Sequence, residues 1–272
     1  MDNRKPWAIF VLVREEYFFL PKWYQYYSRY LNDQDIYIIH HVPDPNNNLD
    51  TCTDFLKDKC NIIEENHDTV DGDWILKIIK KYQTLLLKEY QAVIYTDVDE
   101  IIFIDTTIQQ SFNNLAELMM QFIKSDLKFL TTKTFSLMHQ PNIEQDFIDQ
   151  KNIMDQRSYW YRDHYYDKVL ISKIVNNHAR GMHLPYNHQV SLGVLMLHLH
   201  QYDFDAYINR HVYWATKYKF ADFDLKNNRN YHYRRIGEKL THQFLHHYSV
   251  GVAHQRIRAT LVPDFAKMQI NI

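Results

Sequence analysis

Runs of apolar residues of strand length recur along the first two thirds of the chain. WAIFVLV (7–13) and DIYIIHHV (35–42) are separated by an amphipathic stretch of helix length at 17–30. A buried strand is a short continuous apolar run, whereas a surface helix carries apolar residues every three or four positions. The order therefore predicts a strand, a helix and a second strand.

The alternation continues through the following segments. PDPNNN (43–48) has the composition of a loop, and the pattern predicts a helix near 51–59 after it. DGD (71–73) offers an N-cap, after which apolar residues recur at helical spacing. Further strands are predicted at residues 61–65, 92–96, 101–104, 128–137, 168–174 and 193–200.

Strands that alternate with helices predict an α/β fold with a mostly parallel central sheet flanked by helices. Ligands of such sheets bind beyond the carboxyl ends of the strands. A chain of 272 residues can bury one large core, so we expect one α/β domain and an extension. The predicted boundaries are 1–215 for the domain and 216–272 for a helical, basic and aromatic C-terminal extension.

Charge and cysteine content narrow the partners and the setting. The chain has 31 Lys and Arg residues against 33 Asp and Glu residues, so it lacks the basic excess typical of nucleic-acid-binding domains. It has two cysteines and no apolar run of the roughly 20 residues that a membrane span requires. These features predict a cytoplasmic protein with no nucleic-acid partner, whose membrane contact, if it has one, is peripheral.

The segment VIYTDVDEII (93–102) places three acidic side chains directly after an apolar strand. Asp97 and Asp99 in a tight turn can reach one divalent cation, and Mg²⁺ and Mn²⁺ prefer oxygen ligands. Glu100 is expected to hold the turn. The alternative is a solvated acidic turn in which Asp97 caps the next element, but charges between two buried runs need a partner.

An apolar strand that ends in Asp-x-Asp also occurs in haloacid-dehalogenase-type phosphotransferases, where the first Asp, here Asp97, is the nucleophile. These enzymes need a later acidic motif, commonly Gly-Asp followed by another Asp. The Gly-Asp pair of this chain, Gly72 and Asp73, precedes the cluster. A phosphotransferase or phosphohydrolase is therefore the weaker interpretation.

The segment VREEYFFLPKW (13–23) resembles the opening of family-2-like glycosyltransferases, where a strand ends in Arg-Asn-Glu and Leu-Pro-Glu-Trp follows. Glu15 stands in place of the Asn, and Lys22 stands in place of the Glu. A Gln-containing helix, the strand end TDVDEII, the strand KVLISK, a His and LHLHQYDFDAYINRH follow in similar order and spacing. The residues that match the opening are Arg14, Glu16, Leu20, Pro21 and Trp23.

The resemblance implies a GT-A fold and a hexosyltransferase-like glycosyltransferase that takes a nucleotide-sugar donor and a glycan or lipid-linked acceptor. It also implies that Asp99 is the main ligand of Mn²⁺ or Mg²⁺, and that Asp97 binds the ribose, or the metal through water. The other implied residues are Arg14, Glu16 and Gln83 for the donor and His198 and His183 for the metal.

A transfer that inverts the sugar needs a carboxylate to deprotonate the acceptor hydroxyl. The ring-rich segment YWYRDHYYDKV (159–169) contains Asp163, the predicted base, with Asp155 and Asp167 as alternatives. A Tyr-rich loop with solvated acids is the competing interpretation. Among candidate metal ligands, His198 and His200 alternate along a strand and so share one face of it.

The second predicted strand departs from the family pattern. It ends in His40 and His41, where the family usually begins a Ser-x-Asp-Gly turn near the nucleotide. The departure leaves base recognition open. It also keeps a non-catalytic sugar-binding module on a transferase scaffold as an alternative function.

The C-terminal segment 225–262 contains seven basic residues and one acid, Glu238. A predicted amphipathic helix at 234–250 either docks on the catalytic domain or presents a basic aromatic surface to anionic lipid or a lipid-diphosphate acceptor. We expect this segment to govern acceptor or membrane access and to leave donor binding unchanged. The apolar stripe of the helix comprises Ile236, Leu240, Phe244 and Tyr248.

Overall fold

The computed structural model is a mixed α/β fold with a mostly parallel central sheet flanked by helices, as the sequence predicts. It describes residues 2–44, 50–108, 112–176, 191, 193–227, 234–244 and 259–272.

Eight of the strands in the described residues agree with the predicted apolar runs to within a few residues, whereas the short strands at Tyr159–Arg162 and Thr260–Leu261 were not predicted. The strands are β1 Lys5–Val13, β2 Ile36–Val42, β3 Asn61–Asn66, β4 Tyr90–Tyr95, β5 Glu100–Ile104, β6 Phe129–Met138, β7 Tyr159–Arg162, β8 Lys168–Ser172, β9 Val194–Gln201 and β10 Thr260–Leu261. The α-helices are α1 Phe19–Tyr27, α2 Gly72–Glu89, α3 Leu115–Lys124, α4 Ile153–Gln156, α5 Phe204–Lys217, α6 Asp222–Lys226, α7 over 238–244 and α8 Asp264–Gln269. Short 3₁₀ helices lie at Asp33–Asp35, Asp54–Leu56 and His164–Tyr166.

Four strands in the order β3-β2-β1-β4 are parallel and form one half of the sheet. Strand β1 lies in the interior of this half, and Ala8, Ile9 and Val11 are completely buried. Helices α1 and α3 cover one face and α2 covers the other. A strand buried on both faces must be apolar throughout, which explains why β1 is one continuous apolar run.

Helix α2 begins where the sequence predicts a cap. The side chain of Asp71 accepts hydrogen bonds from the backbone N–H groups of Asp73 and Trp74 at 2.8 and 3.3 Å. The helix predicted near 51–59 is wrong, because only the 3₁₀ turn Asp54–Leu56 forms there. Asp58 has a φ of +67°, and a left-handed residue at that point ends the turn before an α-helix is nucleated.

The second half of the sheet is built around β8, which runs antiparallel between β4 and β6. In the central order β3-β2-β1-β4-β8-β6, β8 alone opposes the common direction. Strand β6 also pairs with β7 and with β9, and β9 pairs with β5. Residues 159–162 of the ring-rich segment, for which a loop was the competing interpretation, form the strand β7. Strands β5 and β9 pair directly after the acidic turn, where Glu100 lies opposite His198.

The residues after 215 are joined to the sheet at several points. Phe220 forms a β-bridge with Val70, β10 pairs with β7, and α8 packs against β5. Leu240 and Phe244 of α7 pack on Tyr207 of α5. In the predicted stripe, Ile236 is instead 55% exposed, and Tyr248 lies outside the described residues. No helix in the described ranges is long and apolar enough to cross a membrane.

Candidate active site

A cavity of about 1030 Å³ lies at the carboxyl ends of β1, β2 and β4, where an α/β sheet binds its ligands. Residues from β9, α5 and α7 complete its wall. The predicted site residues that line it are Arg14, Glu16, Asp97, Asp99, Asp163 and His198.

Of the two other predicted site residues, the structure describes only Gln83. Gln83 is buried on α2 outside the cavity lining, and its Oε1 accepts a hydrogen bond of 2.7 Å from the backbone N–H of Asn176. Gln83 therefore holds the backbone at Asn176, four residues after β8. His183 lies outside the described residues.

The acidic turn after β4 is held by α1 and by its own glutamate. Trp23 Nε1 donates to Thr96 Oγ1 at 2.7 Å, and Tyr27 OH donates to the Glu100 carbonyl at 3.1 Å. Glu100 Oε2 accepts from the backbone N–H of Asp97 at 2.9 Å, so this glutamate holds the turn as the sequence predicts. The tryptophan of the LPKW segment thus places the carboxylates by anchoring the residue before them.

Lys168, the first residue of β8, neutralises one side of this turn. Its Nζ lies 2.8 Å from Asp97 Oδ2 and 2.5 Å from Glu100 Oε1, and Tyr95 OH donates to Asp97 Oδ1 at 2.8 Å. Burial raises the pKa of Glu100 to about 7, and the charge of Lys168 opposes that rise. Burial acts to lower the pKa of Lys168, but the two carboxylates hold it above its usual range. Both oxygens of Asp97 therefore have hydrogen-bond donors.

Arg210 of α5 neutralises the other side. Its Nη1 lies 2.9 Å from Asp99 Oδ2, and its Nη2 lies 2.6 Å from Glu16 Oε1. Burial acts to raise the pKa of Asp99, but Arg210 and two neighbouring imidazoles hold it well below its usual range. Burial also raises the pKa of Glu16, and Arg210 opposes that rise.

The two imidazoles are those of His198 and His200, which share one face of β9 as the sequence predicts. Their rings stack with centroids 5.3 Å apart. His200 Nδ1 lies 3.5 Å from Asp99 Oδ2, and His198 Nε2 lies 3.9 Å from Asp99 Oδ1. Burial lowers the pKa of His198 to about 3, so its ring is neutral at physiological pH. A neutral imidazole has a lone pair for a metal ion.

One carboxylate oxygen and two imidazole nitrogens, all within 4.8 Å of one another, fit a metal ion. Imidazole ligands suit transition metals, whereas Mg²⁺ prefers oxygen. The two imidazoles therefore suit a transition metal ion better than Mg²⁺. Asp97 is not a member of this group, because its carboxylate faces Lys168 and Tyr95.

Asp163 lies on the same cavity wall as the imidazole pair. Its Oδ2 accepts a hydrogen bond of 2.9 Å from Ser136 Oγ, and Ser136 is the register partner of His198 in β6 and β9. Burial raises the pKa of Asp163 above its usual range. A carboxylate with a raised pKa is a better proton acceptor than an ordinary one.

The two alternatives to Asp163 do not line the cavity. Asp167 forms a bidentate ion pair with Arg162 and accepts from the backbone N–H of Thr134 at 2.8 Å. Asp155 is exposed in the short helix α4. Neither position offers a carboxylate to a substrate bound at Asp99.

A second buried group, His40, Asp50 and Cys52, lies beside the cavity and has a structural explanation. The carboxylate of Asp50 accepts hydrogen bonds from the backbone N–H groups of Glu15 and Cys52, and pairs with His40 Nε2 at 2.8 Å. Glu15 has a φ of +54°. Asp50 thus holds the chain in the left-handed turn that directs Arg14 and Glu16 into the cavity.

Sequence reasoning missed the roles of Lys168 and Arg210. Lys168 begins an apolar strand, where a lysine is usually a solvated end residue. Arg210 shares one helix face with Tyr207 and Trp214, at spacings of three and four, and all three line the cavity. That mixed face is the signal in the sequence that could have identified the arginine.

No model of a known protein family matches the chain, and no curated protein matches its sequence. Structures of S. aureus TarS, a glycosyltransferase, show a distant similarity. The alignment with the structure of TarS 1–349 has 12% sequence identity, covers 61% of this chain and 46% of the TarS chain, and gives a TM-score of 0.27. A longer TarS structure has 12% identity, covers 61% and 28% of the two chains, and gives a TM-score of 0.28. The chain spans less than half the length of either, and a similarity this low carries no argument about the site.

Proposed function

We propose that this protein is a metal-dependent glycosyltransferase, which moves a sugar from a nucleoside diphosphate sugar to a hydroxyl group of a glycan or lipid-linked acceptor. The observation that supports the proposal best is the convergence of Asp99, His198 and His200 at the carboxyl end of the parallel sheet. Asp163 lines the same cavity. A metal-dependent transfer needs a metal site, and one that inverts the sugar also needs a carboxylate base.

Asp99, His198 and His200 would hold the metal ion, which supplies positive charge for the diphosphate oxygens. Lys168, which is buried, and Arg210, which is partly buried, add two cations at the same turn. As the bond between the anomeric carbon and the diphosphate breaks, negative charge grows on the leaving nucleoside diphosphate. Fixed positive charge at that point stabilises the transition state, usually the largest contribution to catalysis of this type.

In an inverting transfer, Asp163 accepts the proton of the acceptor hydroxyl while the hydroxyl oxygen forms the new bond to the anomeric carbon. Ser136 fixes the orientation of the carboxylate through its hydrogen bond to Oδ2. The ring of Tyr166, 4.6 Å from that of His198, and the buried ring of Tyr161 flank this position. Aromatic faces of this kind suit the apolar faces of sugar rings.

Calorimetry with nucleoside diphosphates, in Mn²⁺ or in excess chelator, tests the proposal. We expect at least one nucleoside diphosphate to bind about tenfold or more tightly with Mn²⁺, and Asp99→Asn to abolish that difference without unfolding the protein. The matched control is Asp105→Asn, because Asp105 follows β5, does not line the cavity, and its carboxylate accepts hydrogen bonds from Thr107. Equal affinity in chelator, or no binding of any nucleoside diphosphate, would contradict the proposal.

A further inference from the structure

The cavity wall at the carboxyl ends of β1 and β2 contains side chains that take no part in the proposed metal site or in the proposed proton transfer to Asp163. Arg14 follows β1 directly and His41 is near the end of β2. Val13 of β1 and His40 of β2 are register partners, so the residues that follow them, Arg14 and His41, are neighbours at the ends of adjacent strands. The charge of Arg14 also acts on the ring of His41, as expected at short range.

Residues 218–224, here called the closing segment, cover this part of the cavity. The backbone N–H of Val70 donates to the Lys219 carbonyl at 2.7 Å, and the N–H of Ala221 donates to the Val70 carbonyl at 3.2 Å. Asp224 Oδ2 accepts from the N–H of Gly72 at 3.1 Å. The closing segment is therefore tied to the start of α2, and it brings Tyr218 and Phe220 to the cavity wall.

Arg14 lines the cavity next to Tyr218. Its guanidinium carbon lies 4.1 Å from the centre of the Tyr218 ring, and Tyr218 OH donates to the Arg14 carbonyl at 3.2 Å. Within the described part of the chain, the buried Nε and Nη1 of Arg14 have no hydrogen-bond partner. A buried donor without a partner costs about 1–3 kcal/mol, so an acceptor group of a ligand is expected there.

His41 presents the complementary group. Its Nε2 lies 2.6 Å from the His67 carbonyl and must donate to it, which leaves Nδ1 of the neutral ring as an acceptor. Burial lowers the pKa of His41 to about 4, so the ring is neutral at physiological pH. Trp74 packs against this ring, with centroids 4.4 Å apart, and fixes its plane.

We propose that Arg14 and His41 read the base of the nucleotide donor and select a base that places a ring N–H beside a carbonyl oxygen. Uracil, thymine and guanine have this edge. The carbonyl oxygen accepts from Arg14, the ring N–H donates to His41 Nδ1, and Tyr218 and Phe220 of the closing segment enclose the base. This inference rests on the proposed function and adds the class of its donor.

Cytosine and adenine are disfavoured by the same pair. At the corresponding edge each has a ring nitrogen that accepts and an amino group that donates. The amino group would then face the N–H groups of Arg14, and the ring nitrogen would face the lone pair of His41 Nδ1. Mismatched polar groups in a buried site cause strong discrimination, because each loses its bond to water without gaining another.

Calorimetric titrations of UDP, GDP, CDP and ADP in Mn²⁺ test base selection. We expect UDP or GDP to bind at least about tenfold more tightly than CDP and ADP, and Arg14→Met to remove most of this preference. The matched control is Arg4→Met, since Arg4 lies at the start of β1 and bonds Asp2 and backbone carbonyls. Inorganic pyrophosphate, which has no base, should bind Arg14→Met as it binds the wild type and so shows that the variant is folded.

Binding of all four nucleotides with equal affinity, or a preference for CDP or ADP, would overturn base selection and leave the proposed function standing. An equal loss for all four nucleotides and for pyrophosphate in Arg14→Met would place Arg14 on the phosphates and overturn it as well. Failure of every nucleotide to bind the wild type would instead overturn the proposed function. Tyr218→Ala should weaken the binding of UDP or GDP but not that of pyrophosphate. Phe223→Ala, on the exposed side of the closing segment, should change the affinity for neither kind of ligand.

Discussion

Arg210 Nη1 lies 2.9 Å from Asp99 Oδ2, and the same oxygen lies 3.5 Å from His200 Nδ1. A guanidinium thus contacts the carboxylate that the proposed metal site uses. Because Arg210 also binds Glu16 at 2.6 Å, it can keep one partner when a metal ion takes the other. The arginine then remains beside the site as a donor for a phosphate oxygen.

Arg210→Gln is expected to make the protein less stable without metal and more responsive to it. Loss of one partner of a buried ion pair typically costs about 3–5 kcal/mol, and this is an upper bound here because the Arg210 ion pairs are only partly buried. Mn²⁺ would neutralise Asp99 in place of the arginine. Thermal unfolding in chelator and in Mn²⁺ should therefore show a lower midpoint in chelator and a larger rise with Mn²⁺ than in the wild type.

Arg162→Gln is the matched control for that measurement. Arg162 also forms a partly buried ion pair, with Asp167, and the two arginine side chains are equally exposed at 18%. Arg162→Gln should lower the midpoint while leaving the rise with Mn²⁺ unchanged. If Mn²⁺ raises the unfolding midpoint by the same amount in the wild type, Arg210→Gln and Arg162→Gln, Arg210 does not compete with a cation.

His200→Ala tests a metal ligand that the resemblance does not single out. We expect Mn²⁺ affinity to fall by at least about tenfold, since even residues that merely support a metal ligand contribute 10- to 100-fold. Direct titration with Mn²⁺ and electron paramagnetic resonance of the free ion measure this. His139→Ala is the control, because His139 is buried beside Asp203 and does not line the cavity; equal losses in both variants would point to damage to the fold.

Asp163→Asn should lower kcat by about 10²-fold or more and leave donor affinity near that of the wild type. In the wild type, kcat should rise with pH, because the acceptor of the proton must be the carboxylate. Since burial raises the pKa of Asp163, the acid limb should lie above the ordinary value of about 3.9. Steady-state rates across pH check both points, with Asp167→Asn and Asp155→Asn as controls; a larger loss in either control would identify a different base.

Lys168→Met should destabilise the fold by about 3–5 kcal/mol near neutral pH, because Glu100 loses its partner in a completely buried position. The pKa of Glu100 is raised on folding, so the folded state binds more protons than the unfolded state and stability falls as pH rises. Urea unfolding should therefore show a smaller deficit at pH 5 than at pH 8. Lys173→Met, which removes a lysine bonded only to backbone carbonyls and packed on Phe122, should show no such pH dependence.

Lys239→Gln tests the role predicted for the C-terminal segment. Lys239 lines the cavity from α7, beside Arg235. If the segment governs acceptor access, the variant should raise the KM for an anionic acceptor and leave nucleotide affinity unchanged. Lys226→Gln, on the exposed face of α6, is the control. Co-sedimentation with anionic vesicles at low and high salt measures the membrane alternative, in which binding should weaken as salt screens the charges.

The sequence predicts most of the fold, because buried parallel strands must be apolar throughout and their helices must be amphipathic. Strands β1, β2 and β4 are confirmed for this reason. The antiparallel placement of β8 between β4 and β6 leaves no local mark, since it depends on the pairing of Val93 with Ser172, 79 positions later in the chain. The helix expected at 51–59 failed because a single left-handed residue, Asp58, outweighs a weak pattern.

The candidate site is predictable where it depends on local spacing and not where it depends on tertiary contact. Asp97, Asp99 and Glu100 follow from their position after a buried strand, and the common face of His198 and His200 follows from strand geometry. Lys168 and Arg210 reach the turn from other elements, and their sequence neighbours do not show which carboxylates they meet. Charge balance in a buried site is set by the fold.

The order of the strands also determines when the cluster can assemble during protein synthesis. All four parallel strands have been made once Tyr95 is added, but Arg210 comes 111 residues after Asp99. At about 5–20 residues per second, that separation corresponds to roughly 6–20 s on the ribosome. Until β8 ends at Ser172, 77 residues after Tyr95, a nascent chain presents the open edge of β4 beside an acidic turn that lacks one or both of its cations. An unpaired strand edge of this kind is exposed to wrong pairing.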